Sequence, residues 1–310
     1  MRDEAQEQGQ EQMQGQVRVR ERWLEWNGMR YRVWERPVPG STMPPLVLVH
    51  GYAACLEQWG RFIRDIGAEV PVYAVDLIGY GQASKPRHAP YGREFYVRQL
   101  EHLRAHYGWE RVVAVGHSMG GMVAISWAAM HPVTVASVVA ISPGGFGPEF
   151  SSSPRQRRVM MVLGRPGFTR LLYAVTSRLP YRLVLSRSAY ADHASVDPYT
   201  RRALRAALRA PGAEWSYSAP VRDPDAFTVV ARQGDIHCPM HLIWGQQDAL
   251  LPVANADAFT AVFPQSSLIF LPGGHCIQEE RSREVAAEVR TLLTLDHLLA
   301  PAPAALIEAG

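Results

Sequence analysis

Gly116-His117-Ser118-Met119-Gly120 carries the pattern Gly-x-Ser-x-Gly, with the apolar run 112–115 before it and a helix-like stretch after it. A serine hydroxyl is a weak nucleophile and must stand clear of the backbone on a tight turn. Gly116 and Gly120 give that clearance on both flanks. A helix starting near Met119 aims backbone N–H groups and its positive end at an oxyanion forming above Ser118. The competing reading is a glycine-rich strand-to-helix turn with an incidental serine. The strand before and the helix after favour the nucleophile. His117 is the nearest candidate base, but neighbours on a tight turn point apart, which leaves His117 as a packing residue.

Four further stretches fall in order around this turn. They are Leu46-Val47-Leu48-Val49-His50-Gly51-Tyr52, Asp76-Leu77-Ile78-Gly79-Tyr80-Gly81, Gly245-Gln246-Gln247-Asp248 and Gly273-Gly274-His275. Together with the serine turn they resemble the α/β-hydrolase superfamily from about Leu46 to the helix after His275. The resemblance implies an α/β fold: a mostly parallel central sheet, helices on both faces and an inserted helical cap. It also implies a Ser118, Asp248, His275 triad in the superfamily's chain order, and an oxyanion hole from the backbone N–H groups of Tyr52 and Met119. His50 is a second histidine near the site, and its place at a strand end beside a sharp turn favours a structural role. Asp76 competes with Asp248 for the acid. A turn-forming aspartate bonding nearby backbone, with Gly79 and Gly81 permitting positive φ, is the better reading.

The elements that must position these residues follow from the patterning. Residues 1–16 form a Gln/Glu/Gly tract with few apolar groups, read as a disordered tail. Segments 17–26 and 29–35 alternate apolar and polar residues around Asn27-Gly28, a hairpin signal. Buried strands are expected at 46–49, 70–75, 111–115, 135–142, 240–245 and 267–271. Helices are expected at 56–66, 94–107, 252–262 and 283–295. Over 143–235 the strand–helix alternation stops, and helical patches at 157–163, 167–176, 179–186 and 198–208 are separated by Pro and Gly. The resemblance makes this the cap, dividing the core into 17–142 and 236–297, with 298–310 a loose Ala/Pro-rich tail. Met160, Met161, Phe168 and Leu172 are candidates to line a substrate pocket; packing of cap on core is the alternative for each. The cap is also arginine-rich, read as a solvated face rather than an anion site.

A chain of 310 residues, 47% hydrophobic, accommodates one large α/β domain with an insertion. No apolar run approaches the roughly 20 residues of a membrane-spanning helix, and the N-terminus lacks the apolar core of a signal peptide. Three cysteines, Cys55, Cys238 and Cys276, lack metal-ligand spacing and suit a reducing, cytoplasmic setting. A net charge of +3 gives no argument for nucleic acid. No cofactor or metal is signalled.

The function implied is a serine hydrolase cleaving carboxylic esters of small to medium apolar substrates through an acyl-enzyme. The partner is then a small-molecule ester. A serine at position 118 sets the chain apart from the aspartate-bearing dehalogenase and epoxide hydrolase branches of the superfamily. C–C bond hydrolysis and lactone hydrolysis remain alternatives on the same scaffold. So does a non-catalytic binding or accessory protein, against which an intact Ser118, Asp248 and His275 argue.

Overall fold

Among the described residues nine strands form one sheet in the order β1-β2-β3-β5-β4-β6-β7-β8-β9. They are β1 Glu11–Gln14, β2 Val17–Trp26, β3 Met29–Arg36, β4 Leu46–Val49, β5 Val72–Val75, β6 Val112–His117, β7 Val135–Ile141, β8 Met240–Gly245 and β9 Ser267–Leu271. The computed structural model describes residues 11–14, 17–145, 189–192 and 195–299. Asn27 and Gly28 both take positive φ, 52° and 73°, the turn that suits the twist of a two-residue hairpin between β2 and β3. The first three strands pair antiparallel, β3 joins β5 antiparallel, and every later pairing is parallel. Part of the tract expected to be disordered is ordered: Glu11–Gln14 pairs with the outer edge of β2. Backbone hydrogen bonds to an open edge need no apolar side chains, which is why composition gave no sign of it.

The helices among the described residues are α1 Gly60–Asp65, α2 Arg93–His106, α3 Met119–Met130, α4 Pro198–Arg209, α5 Ala213–Tyr217, α6 Ala219–Arg222, α7 Ala254–Val262, α8 Ile277–Glu280 and α9 Ser282–Leu295. Alternate residues of β4 show how they are layered. Val47 and Val49 join a core with residues of α2, α3 and α7; Leu46 and Leu48 join the opposite core with α1 and α9. Both faces of the strands are therefore buried, as their unbroken apolar runs require. The helix expected at 56–66 is a 3₁₀ turn, Leu56–Trp59, running into α1. No helix among the described residues is long and apolar enough to cross a membrane.

Register carries the fold to the site. Val49 pairs with Gly116, His117 with Ile141, Ile141 with Ile243, and Gly245 with Leu271. The carboxyl ends of five parallel strands thus finish level, and their loops meet at one edge, where open α/β sheets bind ligands. At the opposite edge His241 of β8 accepts from Ser267 Oγ at 2.7 Å on Nδ1. Its Nε2 donates to Asp296 Oδ2 at 2.9 Å, and Ser137 Oγ donates to the same oxygen at 2.7 Å. This network fastens the end of α9 to the sheet.

From 143 to 235, the described part contains α4, α5, α6 and two 3₁₀ turns, with no strand among those residues. The helix expected at 198–208 is α4, capped by Asp197 accepting from Thr200 N–H at 2.9 Å. The patches expected at 157–163, 167–176 and 179–186 lie outside the described residues. So do Met160, Met161, Phe168 and Leu172.

Candidate active site

Ser118 has φ 52° and ψ −117°, a conformation that costs a non-glycine residue about 1–3 kcal/mol. The neighbouring structure holds it there. Its N–H donates to Ile141 C=O at 2.9 Å, and its C=O accepts from Gly121 N–H at 2.9 Å and Gly144 N–H at 3.0 Å. A Cβ on Gly116 would stand 2.1 Å from Gly120 O, and one on Gly120 would stand 2.2 Å from Val49 O, so neither position has room for a side chain. Ser118 is half-buried while the residues on both sides of it are buried. The sharp strand-to-helix turn read from the sequence is present. The Met119 N–H opens α3, where the first amides have no intrahelical acceptor and the helix dipole is positive.

Asp248 and His275 arrive from the loops after β8 and β9. Asp248 Oδ2 lies 2.8 Å from His275 Nδ1, and Asp248 Oδ1 accepts from Leu250 N–H at 2.9 Å and Leu251 N–H at 2.8 Å. Both residues are buried. With a carboxylate oxygen as the acceptor, the neutral imidazole carries its proton on Nδ1 and presents a lone pair at Nε2. Two main-chain donors fix the carboxylate and, through it, the ring. Ser118 and His275 line one cavity of about 400 Å³, with Tyr52, Met119, Met122, Phe227, Leu250 and Leu251 among its walls. Tyr52 N–H and Met119 N–H, the expected oxyanion donors, belong to residues on that cavity. The Tyr52 hydroxyl donates to Tyr217 C=O at 2.6 Å, tying the loop after β4 to α5.

The competing residues are occupied elsewhere. His50 Nδ1 donates to Gly51 C=O at 2.8 Å and Nε2 accepts from Leu77 N–H at 3.1 Å; burial lowers its pKa. Both nitrogens are spent on loop shape, in keeping with a structural role. Asp76 is fully buried and accepts from Leu56 N–H, Gln82 N–H and Arg32 Nε at 2.9, 2.9 and 3.0 Å. It therefore organises its turn. His117 packs, as expected, but with a partner that the sequence did not disclose. Its Nε2 donates to His275 C=O at 2.9 Å, and the two rings lie 4.7 Å apart. Burial first, and the nearby His275 second, hold its pKa well below the ordinary histidine value, so it stays neutral beneath the candidate base.

Sequence reasoning also missed a buried ion cluster and most of the cavity wall. Arg32, 1% exposed, donates to Glu57 Oε1 at 2.7 Å and Glu21 Oε2 at 3.4 Å as well as to Asp76. Met122 was within reach of sequence analysis, one helical turn beyond Ser118 on the same face. Leu250 and Leu251 follow the acid on its own loop. Pro220, Val221 and Phe227 line the cavity without any signal in the sequence.

A family model described as the alpha/beta hydrolase fold matches residues 44–282. The 1-acylglycerol-3-phosphate O-acyltransferase ABHD5 of Sus scrofa is 34% identical over 125 residues, 39% of this chain and 36% of that protein. The chain thus spans little more than a third of the length of such curated relatives. Among solved structures, a putative epoxide hydrolase from Pseudomonas aeruginosa superposes with a TM-score of 0.71 at 20% identity, covering 90% of this chain and 96% of its own. The enol-lactonase of Burkholderia xenovorans LB400 gives 0.71 at 19% identity, covering 88% and 100%. The element order, the level strand ends and the match over residues 44–282 together make this chain a member of the α/β-hydrolase fold family.

Proposed function

We propose that the protein is a serine hydrolase of uncharged carboxylic esters. The observation that carries the reading is a serine on a strained elbow sharing an apolar cavity with a histidine that an aspartate holds in the Nδ1–H tautomer. Ser118 Oγ attacks the ester carbonyl while His275 Nε2 takes its proton. Asp248 stabilises the imidazolium, and the N–H groups of Tyr52 and Met119 receive the oxyanion. His275 then protonates the departing alcohol and activates water, which releases the acid and restores Ser118.

The cavity wall supports the substrate class. None of the described residues lining it is Asp, Glu, Lys or Arg. A cavity of about 400 Å³ suits a small to medium acyl group. The acyl transfer named for the pig relative differs in its acceptor, an anionic alcohol in place of water. Within this proposal residues 143–235 form the lid, and Gly144, Gly145, Pro220, Val221 and Phe227 are its described contribution to the pocket. A cytoplasmic location belongs to the same reading and rests on three free cysteines.

The test is a panel of p-nitrophenyl esters of graded acyl length, assayed beside a lactone and a vinylogous diketone, with wild-type protein and Ser118→Ala. Ester turnover by the wild type, lost in a variant with an unchanged melting temperature, is expected. Faster turnover of the lactone or the diketone would move the assignment to lactone or C–C hydrolysis. No turnover of any of them by folded wild type would leave an accessory or binding protein.

A further inference from the structure

The loop that carries His275 is gripped at three consecutive backbone positions. Gly274 N–H donates to Glu280 Oε1, His275 C=O accepts from His117 Nε2, and Cys276 N–H donates to Ala189 C=O, each at 2.9 Å. Two of the three grips lead to the short segment 189–192. The Glu280 carboxylate that holds Gly274 also accepts from Ala191 N–H at 3.2 Å and Asp192 N–H at 3.1 Å. Ala189 and Tyr190 are buried against Cys276 with Val196, and the Tyr190 hydroxyl donates to Glu279 Oε1 at 2.8 Å. The approach is close enough to exclude a side chain at Gly274: a Cβ there would stand 2.6 Å from Ala191 N and 2.7 Å from Glu280 Oε1.

Hydrogen bonds to a charged acceptor are about twice as strong as neutral ones, and here a single carboxylate spans two chain segments. Glu280 itself is not among the residues lining the cavity with Ser118. Its effect on the chemistry must therefore pass through the backbone of Gly274 to the neighbouring imidazole. Asp248 fixes the tautomer and the tilt of that ring, but the position of its Cα depends on the loop. Segment 189–192 lies within 143–235, and whatever docks or releases this segment acts on the same peptide group.

We propose that Glu280 is a positioning residue: by bridging Gly274 to Ala191 and Asp192, it makes the placement of His275 against Ser118 conditional on the docking of segment 189–192. This rests on the reading of Ser118 and His275 proposed above. When the bridge is lost, the His117 and Asp248 contacts remain, so the loop persists but the ring is less well placed. A misplacement of about 1 Å costs on the order of a hundredfold in rate.

The experiment compares Glu280→Ala, Glu280→Asp and Glu280→Gln with wild type. Aspartate keeps the charge but is one methylene too short to hold both segments; glutamine keeps the length and the oxygen shared by Gly274 and Ala191, but turns its NH2 toward the Asp192 N–H and loses that contact. With p-nitrophenyl acetate, kcat should fall roughly ten- to a hundredfold in the Ala and Asp variants. KM should stay near the wild-type value, and glutamine, which keeps the Gly274 and Ala191 contacts but not that to Asp192, should recover part of kcat. Amide exchange should rise together in 189–192 and 273–276 in the two impaired variants. Labelling of Ser118 by a fluorophosphonate, followed by mass spectrometry, should slow in parallel with kcat. Folded Ala and Asp variants that keep wild-type kcat and labelling rate overturn the role of Glu280 and leave the Ser118 reading standing. So does a loss that glutamine fails to recover and that follows the unfolded fraction. Should the Ala variant fail to fold, the Asp variant decides. A wild-type protein left unlabelled at Ser118 removes the ground of both.

Discussion

Glu279 is a carboxyl buried between α8 and the Tyr190 segment, only 3% exposed. Burial is the main cause that pushes its pKa up to about 7, and the Asp197 carboxylate adds to it. The hydrogen bonds from Tyr190 and Gln58 and the Arg61 guanidinium pull the other way without cancelling it. In the unfolded chain the same group titrates near 4.5. Between these values the folded protein holds the proton and the unfolded chain has released it, so each rise in pH favours unfolding. Stability that is complete below about pH 4.5 is lost as pH climbs to about 7 and is constant beyond; at ~1.4 kcal/mol per pH unit the loss is about 3 kcal/mol. Glu279→Gln mimics the protonated carboxyl, keeps an oxygen for Tyr190 and carries no charge at any pH. Urea unfolding of both proteins at about pH 5 and about pH 8, with the variant-minus-wild-type difference taken at each pH, cancels the other titrations. The variant should gain little at the lower pH and about 3 kcal/mol at the higher. A difference independent of pH, or one that shrinks as pH rises, would refute the placement of Glu279 as a buried acid.

The two carboxylates that competed for the acid role separate cleanly. Asp248→Asn should lower kcat by about a hundredfold or more, because the amide can favour the wrong imidazole tautomer, while the melting temperature changes little. Asp76→Asn should show the opposite pattern: about 3 kcal/mol lost in denaturant unfolding, from an Arg32 charge left partly unpaired, with kcat per folded molecule near wild type. Leu250 lines the cavity and is 44% exposed, so Leu250→Ala should spare the fold. It should shift the ratio of kcat/KM between long and acetyl esters by about 1–3 kcal/mol; a uniform loss across chain lengths would take Leu250 out of the pocket.

What was legible in the sequence is what local pattern dictates. Asn27-Gly28 between alternating runs sets the first hairpin, and the short apolar runs closed by Gly or Pro mark the buried strands, with 240–245 and 267–271 found to the residue. The elbow was legible because both of its glycines lie within two residues of Ser118. What stayed hidden depends on separations that no local pattern records. Arg32 meets Glu57 and Asp76 across 25 and 44 residues. Nothing in the run Arg30-Tyr31-Arg32 sets apart the arginine that is fully buried. The 3₁₀ start at Leu56 reflects the same cluster, which draws the Leu56 N–H to Asp76 and the Glu57 carboxylate to Arg32. The grip of Glu280 on Ala191 spans 89 residues and ends on a main-chain amide, which any residue type but proline could supply.

Ser267, His241 and Asp296 show why residue types alone are a poor guide to chemistry. They form a hydrogen-bonded chain of the same three types as Ser118, His275 and Asp248, with a 2.7 Å contact from serine to imidazole and 2.9 Å from imidazole to carboxylate. Yet Ser267 sits in regular strand backbone, paired in register with His241, at the edge of the sheet opposite the cavity. Among the described residues no helix begins beside it to offer amides to an oxyanion, and the carboxylate is shared with Ser137, so the chain serves to fasten α9. Ser118 differs in its backbone. Its positive φ turns the hydroxyl out of the strand, glycines admit the chain oxygens that would otherwise clash, and α3 starts at the next residue. A serine becomes a candidate nucleophile through the turn that carries it, and that turn leaves a mark in the sequence that a buried hydrogen-bond network does not.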